Sequence, residues 1–167
     1  MNVYLIGYRG AGKTTLAPLL AARLGRPWID LDDEVVRRAG RSVAAIFAES
    51  GEAAFRDMET AELAEVAATG GKVVSTGGGI VLRPENRKLL KQGKAVWLHA
   101  PEETLVARIE RGSGRPPLTD LELDAEVATT LAARRPLYRE VAGLEIDTGA
   151  LAPAEAAERI ALWLSRP

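Results

Sequence analysis

The segment GYRGAGKT at residues 7–14 constrains the fold and chemistry of this chain more than any other feature. It matches the pattern G-x-x-x-x-G-K-[ST], and it stands between an apolar run typical of a strand and a pattern typical of a helix. The glycines let the backbone curl with its N–H groups pointing inward, and a helix N-terminus adds positive potential. Lys13 can then reach the β- and γ-phosphates, and Thr14 can ligate magnesium. The pattern predicts binding of a nucleoside triphosphate, against the alternative of a glycine-rich turn with a solvated lysine.

Short apolar runs alternate with helix-like periodicity along the chain, which indicates parallel strands joined by helices. The apolar runs predict strands over residues 3–6, 28–31, 73–75, 95–98 and 144–146. Helical spacing predicts helices over residues 13–24, 33–39, 43–49, 52–68, 84–91, 102–111, 124–139 and 153–164. The predicted fold class is therefore α/β, with three layers and a five-stranded parallel sheet. Glycine and proline interrupt the periodicity over residues 111–120, which predicts a mobile loop.

The composition excludes several kinds of site. The 167 residues include no cysteine and one histidine, which excludes thiol nucleophiles and multi-histidine metal sites, so that any metal must be held by oxygen. With 22 basic and 23 acidic residues, no net charge attracts nucleic acid or an acidic membrane. No stretch approaches the ~18 apolar residues of a membrane span, and no basic leader precedes the first strand. We expect a cytoplasmic protein of one domain, monomeric by default, without nucleic-acid or membrane partners.

Two aspartates, Asp30 and Asp32, follow the second predicted strand in the run IDLDDE. Open α/β sheets bind ligands at the carboxyl ends of their strands, so this position favours a role in the site. The structural alternative makes Asp32 the N-cap of the next helix, with Asp33 and Glu34 in its first turn, and it is compatible with the functional one. The N-K-x-D and D-x-x-G patterns of GTP switches are absent, and the third strand has no terminal acidic residue. Neither a GTP switch nor a motor ATPase is favoured.

Three consecutive glycines, Gly77, Gly78 and Gly79, follow the third predicted strand. They cost backbone entropy without burying a side chain, which indicates that another group approaches the backbone; a flexible connection is the alternative. Most arginines of the chain look like solvated charges when taken singly. Arg115 differs because it lies between glycines and Pro116–Pro117 in the predicted loop. A loop arginine that closes over a transferring phosphoryl group would neutralise charge and exclude water.

Taken together, the motifs of this chain resemble the shikimate kinase family from end to end. The resemblance rests on GYRGAGKTT, the D-L-D of residues 30–32, G-R-S with I-F at 40–47, GEAAFRDME at 51–59, TGGGIV at 76–81, G-R-P-P-L at 114–118, R-R-P-L-Y-R at 134–139 and I-D-T at 146–148. The phosphate loop alone would indicate a large superfamily. The other motifs at these separations point to one small-metabolite kinase.

The resemblance implies ATP-dependent phosphorylation of the 3-hydroxyl of shikimate, in aromatic amino-acid biosynthesis, with ATP and Mg²⁺ as cofactors. It implies a P-loop kinase fold similar to the nucleoside monophosphate kinases, with strand order 2-3-1-4-5. Residues 1–167 would form a single kinase domain. Within it, residues 33–61 would be a helical substrate-binding subdomain, and residues 111–123 would be a mobile lid.

The matched positions also imply roles for single residues. Nucleotide would be bound by Gly10, Ala11, Gly12, Lys13, Thr14, Thr15, Arg108 and Arg115, with Arg108 and the backbone after Asp147–Thr148 facing adenine. Shikimate would be bound by Asp32, Arg56, Gly77, Gly78, Gly79 and Arg134. Magnesium would lie near Thr14 and Asp30, and catalysis would involve Lys13, Asp32 and Arg115. Paired guanidinium groups suit a planar carboxylate, which gives Arg56 and Arg134 a physical reason to bind the acid. Asp32 would either accept the hydroxyl proton or only align the hydroxyl.

Two departures from the family pattern, R-P-P-L-T in the lid and T-T-L-A after the phosphate loop, remove no phosphate or carboxylate partner. Two other functions fit part of the pattern. One is a different small-metabolite kinase on the same scaffold, such as a gluconate kinase. The other is a binding module in which ATP only orders the lid. Release of ADP that depends on shikimate, on gluconate or on neither acid would distinguish the three functions.

Overall fold

The computed structural model describes residues 1–112 and 121–166 of the chain. Its strands are β1 (Val3–Ile6), β2 (Trp28–Asp30), β3 (Val73–Ser75), β4 (Lys94–His99) and β5 (Leu144–Asp147). They pair in parallel in the order β2-β3-β1-β4-β5. The parallel sheet and the strand order implied by the resemblance are both confirmed.

The helices within the described ranges are α1 (Lys13–Leu24), α2 (Leu31–Ala39), α3 (Val43–Thr69), α4 (Pro84–Leu90), α5 (Glu102–Arg111), α6 (Leu123–Val141) and α7 (Pro153–Leu164). The two helices predicted over 43–49 and 52–68 both lie in α3, which has a kink at Gly51, where φ is 82° and ψ is 169°. Glycine adopts a positive φ readily, and this non-helical residue separates the two predicted helical segments within the range of α3.

The second strand ends at Asp30, one residue earlier than the periodicity predicts. Asp30 Oδ1 accepts a hydrogen bond of 3.0 Å from the backbone N–H of Asp32, and this bond caps α2, which begins at Leu31. The structural alternative in which Asp32 is the N-cap is therefore wrong. Asp32 lies in the first turn of α2.

The sheet lies between two helical layers, as predicted. Alternate residues of β1 point to opposite faces: Val3 and Leu5 join one apolar core, and Tyr4 and Ile6 join the other. The first core contains residues of α1, α5 and α7, and the second contains residues of α3 and α4. In the parts of the chain that the structure describes, no helix is both long and apolar enough to cross a membrane.

Helix α6 reaches both cores. Val127 and Leu131 in its first half join the core that holds α1 and α7, whereas Tyr138 joins the core that holds α3 and α4. Its contacts with Tyr8, which follows β1, and with Gly78, which follows β3, place it along the carboxyl ends of these strands. One helix is therefore in contact with two of the segments that the sequence singles out.

A small third cluster joins α2 to the first part of α3. Val35, Ile46 and Phe55 are buried together, apart from the two larger cores. Arg38 on α2 also forms an ion pair with Glu62 on α3. Most of these residues lie within 33–61, whose assignment as the substrate-binding subdomain stays a prediction.

The carboxyl ends of β1, β2 and β3 meet at one edge of the sheet. Ser75 of β3 is in register with Leu5 of β1 on one side and with Asp30 of β2 on the other. The phosphate loop begins directly after β1, Asp30 is the last residue of β2, and the glycine run begins two residues after β3. The topology therefore brings the three predicted segments together, at the edge where open α/β sheets bind ligands.

Candidate active site

The phosphate loop has a positive φ at three glycines: 142° at Gly7, 79° at Gly10 and 91° at Gly12. A Cβ on Gly7 would also overlap the carbonyl oxygen of Leu98, so space as well as backbone conformation requires glycine there. Gly12 is the N-cap residue of α1 and has no side chain over the helix end. The loop therefore leads to an open helix N-terminus, whose N–H groups and dipole attract anions.

Lys13 lies at the start of α1 and is 8% exposed. Its Nζ donates hydrogen bonds to the carbonyl oxygens of Gly7, at 2.7 Å, and Tyr8, at 2.9 Å. The loop's own carbonyls therefore hold the ammonium group inside the loop. The phosphate oxygens of a nucleotide would compete for these same donors.

Thr14, Asp30 and Ser75 form a group of oxygen donors next to the loop. Thr14 Oγ1 and Ser75 Oγ each donate a hydrogen bond of 2.9 Å to Asp30 Oδ2, and the two hydroxyl oxygens are 3.3 Å apart. Within residues 1–112 and 121–166, no group of three His, Cys, Asp or Glu side chains is placed to hold a metal ion. One carboxylate with hydroxyl groups nevertheless fits Mg²⁺, which prefers oxygen and is held largely by substrate phosphates and water.

A cavity of about 650 Å³ opens beside the phosphate loop. Arg108, which lines it, donates hydrogen bonds to the carbonyl oxygen of Gly10 at 3.2 Å and to that of Thr148 at 2.7 Å. The Arg108 guanidinium also donates to Thr148 Oγ1 at 3.0 Å. The lining also includes polar and apolar side chains, among them Lys13, Thr15, Asp30, Ile109, Leu151 and Pro153. The size and mixed lining suit a small ligand with a polyphosphate and an apolar end.

Side chains of the chain itself approach the glycine run. A Cβ on Gly77 would lie 2.7 Å from Glu59 Oε1 and 2.9 Å from Asp32 Oδ1. A Cβ on Gly79 would lie 2.5 Å from Arg56 Nη1. Neither glycine has a positive φ, so close approach rather than an unusual backbone accounts for the missing side chains. The close approach predicted from three consecutive glycines is present, and the groups that approach are charged.

Glu59 and Arg56 form a buried ion pair next to the glycine run. Arg56 Nη1 donates to Glu59 Oε2 at 2.8 Å, and the side chains are 11% and 0% exposed. Burial raises the pKa of the Glu59 carboxyl above its usual value, Arg56 opposes this increase, and the nearby Asp32 carboxylate adds to it. The site therefore holds two acidic groups and an arginine in a water-poor environment.

Gly78 lies where the phosphate loop meets Arg134. A Cβ on Gly78 would lie 3.4 Å from the backbone nitrogen of Arg9 and 3.6 Å from Arg134 Nη1. The Gly78 carbonyl oxygen accepts a hydrogen bond of 2.6 Å from the Tyr138 hydroxyl. The guanidinium carbon of Arg134 is 5.9 Å from the centre of the Tyr8 ring. Arg134 therefore lies at the contact between the two loops.

The structure brings the predicted site residues into two adjacent groups. One lines the cavity: Gly10, Gly12, Lys13, Thr14, Thr15, Asp30 and Arg108. The other surrounds the glycine run: Asp32, Arg56 and Arg134. The Ala11 side chain is buried in the core, and its carbonyl oxygen accepts a hydrogen bond from Thr148. Arg115, with residues 113–120 of the predicted lid, lies outside the described residues, and the individual roles stay predictions.

The sequence analysis assigns no role in the site to Glu59, although this residue ends the GEAAFRDME segment that supports the family resemblance. The residue lies four positions after Phe55 and four before Leu63 in α3, and both of these neighbours are buried. Spacing by four places Glu59 on the same face of α3 as these two apolar residues, which could have indicated that Glu59 is buried. A buried carboxylate is rare unless it is paired, so this position would have marked Glu59 as a candidate site residue.

The fold and the site together define a class of protein. A parallel sheet in this order, a phosphate loop after the first strand, and charged groups at a neighbouring glycine run are the features of a P-loop kinase that acts on a small molecule. The chain belongs to the shikimate kinase family, whose model matches residues 9–165. Family membership makes it an enzyme, a transferase that uses ATP to phosphorylate shikimate.

Relatives and solved structures agree with this assignment. Shikimate kinase from Rhodopirellula baltica is 46% identical over 152 residues, which cover 88% of this chain and 81% of the relative. A solved structure of shikimate kinase from Acinetobacter baumannii, in complex with shikimate, has a TM-score of 0.92 and 38% identity over 98% of this chain and 92% of that one. The crystal structure of shikimate kinase from Aquifex aeolicus has a TM-score of 0.82 and 33% identity over 98% of this chain and 96% of that one.

Proposed function

We propose that the chain transfers the γ-phosphoryl group of ATP to the 3-hydroxyl of shikimate, with Mg²⁺ beside the nucleotide. The observation that carries the proposal is the close approach of Gly78 to Arg9, where the phosphate loop meets the glycine run. One side of this contact is an anion site built from backbone N–H groups and Lys13. The other side carries Asp32, Arg56 and Arg134, which suit a hydroxylated acid.

Arg56 and Arg134 are proposed to bind the carboxylate of the acid. Both guanidinium groups lie against the glycine run, and neither is fully exposed. Glu59, three residues further along the same helix α3, accepts a hydrogen bond from Arg56, so this guanidinium is oriented before the acid binds. A planar fork of donors matches a carboxylate, and each charged hydrogen bond stabilises the complex by about 1.5–3 kcal/mol.

Asp32 is proposed to receive a ring hydroxyl of the acid. It is 6% exposed, and its Oδ1 faces Gly77. In an in-line transfer through a loose transition state, a carboxylate there either accepts the hydroxyl proton late in the reaction or only aligns the hydroxyl. Both roles require the same position of the carboxylate.

Lys13 and the N-terminus of α1 are proposed to hold the donor phosphates. Lys13 would exchange the carbonyl oxygens of Gly7 and Tyr8 for β- and γ-phosphate oxygens. Thr14 and Asp30 would hold Mg²⁺, which when bound neutralises charge on the phosphate oxygens. Arg115 is proposed, from its loop sequence alone, to stabilise the transferred phosphoryl group.

A coupled assay of ADP release with MgATP tests the proposal. We expect turnover with shikimate and none with gluconate, and phosphorus–proton correlation in the NMR spectrum of the product should place the phosphate on carbon 3. Turnover with gluconate alone would identify a different metabolite kinase. Tight ATP binding without a phosphorylated product from any acid tested would identify a binding module. A phosphate on another carbon would overturn the 3-hydroxyl assignment.

A further inference from the structure

Helix α6 carries a row of four polar residues that contacts both halves of the site. Residues spaced by four lie on one face of a helix. Near the start of the row, hydrogen bonds reach Tyr8 and Arg9 of the phosphate loop, and near its end a hydrogen bond reaches the carbonyl oxygen of Gly78. The row consists of Glu126, Thr130, Arg134 and Tyr138.

Glu126 anchors the phosphate-loop end of this row. Its side chain is 1% exposed and forms an ion pair with Arg9, whose side chain is 11% exposed. The same carboxylate oxygen, Oε1, accepts a hydrogen bond of 3.4 Å from the Tyr8 hydroxyl. A buried carboxylate is costly to desolvate unless its counter-charge and hydrogen bonds are well placed. The burial of this pair therefore ties Arg9 and Tyr8 to one position on α6.

Tyr8 and Arg9 connect the groups expected to act on donor and acceptor. Tyr8 and Arg9 are themselves part of the phosphate loop, between Gly7 and Gly10. The Tyr8 ring has the guanidinium carbons of Arg9 and Arg134 each 5.9 Å from its centre. The backbone nitrogen of Arg9 also lies close to Gly78. A displacement of Tyr8 and Arg9 would therefore move the phosphate loop relative to Arg134 and the glycine run.

We infer that Glu126 is a positioning residue for phosphoryl transfer: by holding Tyr8 and Arg9 it fixes the phosphate loop against α6, and so aligns the donor phosphate with the acceptor. This inference rests on the proposed function. Glu126 acts on the alignment of two bound substrates rather than on the affinity for either. Alignment of this kind governs kcat, because a displacement of about 1 Å costs on the order of 100-fold in rate.

The variant Glu126→Gln tests the inference, because it keeps the shape of the side chain and removes its charge. We expect kcat with shikimate and MgATP to fall by about 10- to 100-fold, and both KM values to stay within about threefold. The matched control is Glu62→Gln. Glu62 is also buried, with a side chain 4% exposed, and it pairs with Arg38 between α2 and α3. This control should lower the thermal midpoint while leaving kcat unchanged.

Two results would overturn the inference: a kcat for Glu126→Gln close to that of the wild type, whether or not KM rises, or an equal loss of kcat in Glu62→Gln. If Glu126→Gln does not fold, as judged by circular dichroism, Tyr8→Phe removes only a hydroxyl that donates to Glu126. We then expect a severalfold fall in kcat, and an unchanged kcat would overturn the inference. A wild type inactive on shikimate would instead defeat the proposed function, so the two failures are distinguishable.

Discussion

At the scale of single residues, the two arginines beside the glycine run have different surroundings. Arg56 donates to Glu59 at 2.8 Å and to Glu52 at 3.2 Å, whereas Arg134 packs over the Tyr8 ring. Removal of Arg56 leaves the Glu59 carboxylate buried without this counter-ion, which lowers stability as well as binding. Arg134 therefore offers the clearer test of carboxylate binding.

Arg134→Ala is expected to raise the KM for shikimate by about 10- to 150-fold, which corresponds to ~1.5–3 kcal/mol for a charged hydrogen bond, with a smaller effect on kcat. The neighbouring Arg135 is exposed and pairs with Glu102 at 2.9 Å, so Arg135→Ala is the matched control, with an unchanged KM. Steady-state kinetics at saturating MgATP measures both variants. Equal KM values in the two would contradict a role of Arg134 in binding the acid.

Glu59 makes the stability of the protein depend on pH in a definite direction. Burial raises the pKa of Glu59 above its unperturbed value of 4.5, although Arg56 opposes this increase. The folded protein then binds the proton more tightly than the unfolded chain does. The contribution of Glu59 to stability is therefore fully present below about pH 4.5 and is lost as the pH rises through the higher pKa of the folded state.

Glu59→Gln removes this dependence. The free energy of unfolding of the wild type minus that of the variant, from urea titrations, should decrease from about pH 4.5 to pH 7. Glu140 is the contrasting control, because its hydrogen bond to Lys91 lowers its pKa. The same difference for Glu140→Gln should be larger at neutral pH than in acid. An increase with pH for Glu59 would show that the ion pair with Arg56 outweighs burial.

At the scale of elements, the glycine run is kept free of side chains by what packs on it. Gly79→Ala would place a Cβ 2.5 Å from Arg56 Nη1, so the guanidinium, at the far end of a flexible side chain, must shift, at less than the ~1–3 kcal/mol of overpacking in a rigid core. We expect a lower thermal midpoint and a higher KM for shikimate. In Gly143→Ala, the Cβ would meet the Trp163 ring at 2.9 Å, outside the site. This control should lose stability at unchanged KM, and an unchanged KM in Gly79→Ala would count against the role of the run.

Periodicity predicts the elements well but their ends less well. The strand over 73–75 and the helices over 102–111 and 153–164 have the predicted bounds because apolar spacing, glycine and proline all agree there. The start of α2 depends instead on which of two nearby aspartates turns its carboxylate onto the backbone. The sequence does not show whether Asp30 or Asp32 is the N-cap, because aspartate is a favoured N-cap residue at either position.

At the scale of the whole molecule, motif and topology together predict the location of the site. The phosphate loop, Asp30 and the glycine run each lie at the carboxyl end of a strand, so a parallel sheet in this order brings them to one edge. The contacts that hold the phosphate loop against α6 could not be predicted from the sequence. Glu126 and Tyr8 are 118 positions apart, and nothing local in α6 distinguishes Glu126 from a solvated carboxylate. Contacts of this kind emerge only from the packing of the folded chain.

In the proposed function, one contact between the phosphate loop and the glycine run separates a nucleotide site from an acid site. A crystal structure with ADP and shikimate bound together would show whether this arrangement is right. The acid's carboxylate should accept hydrogen bonds from Arg56 and Arg134, and its 3-hydroxyl should lie between Asp32 and the phosphate loop. An acid bound elsewhere, with these two arginines turned away from it, would show that the proposed acid site is wrong.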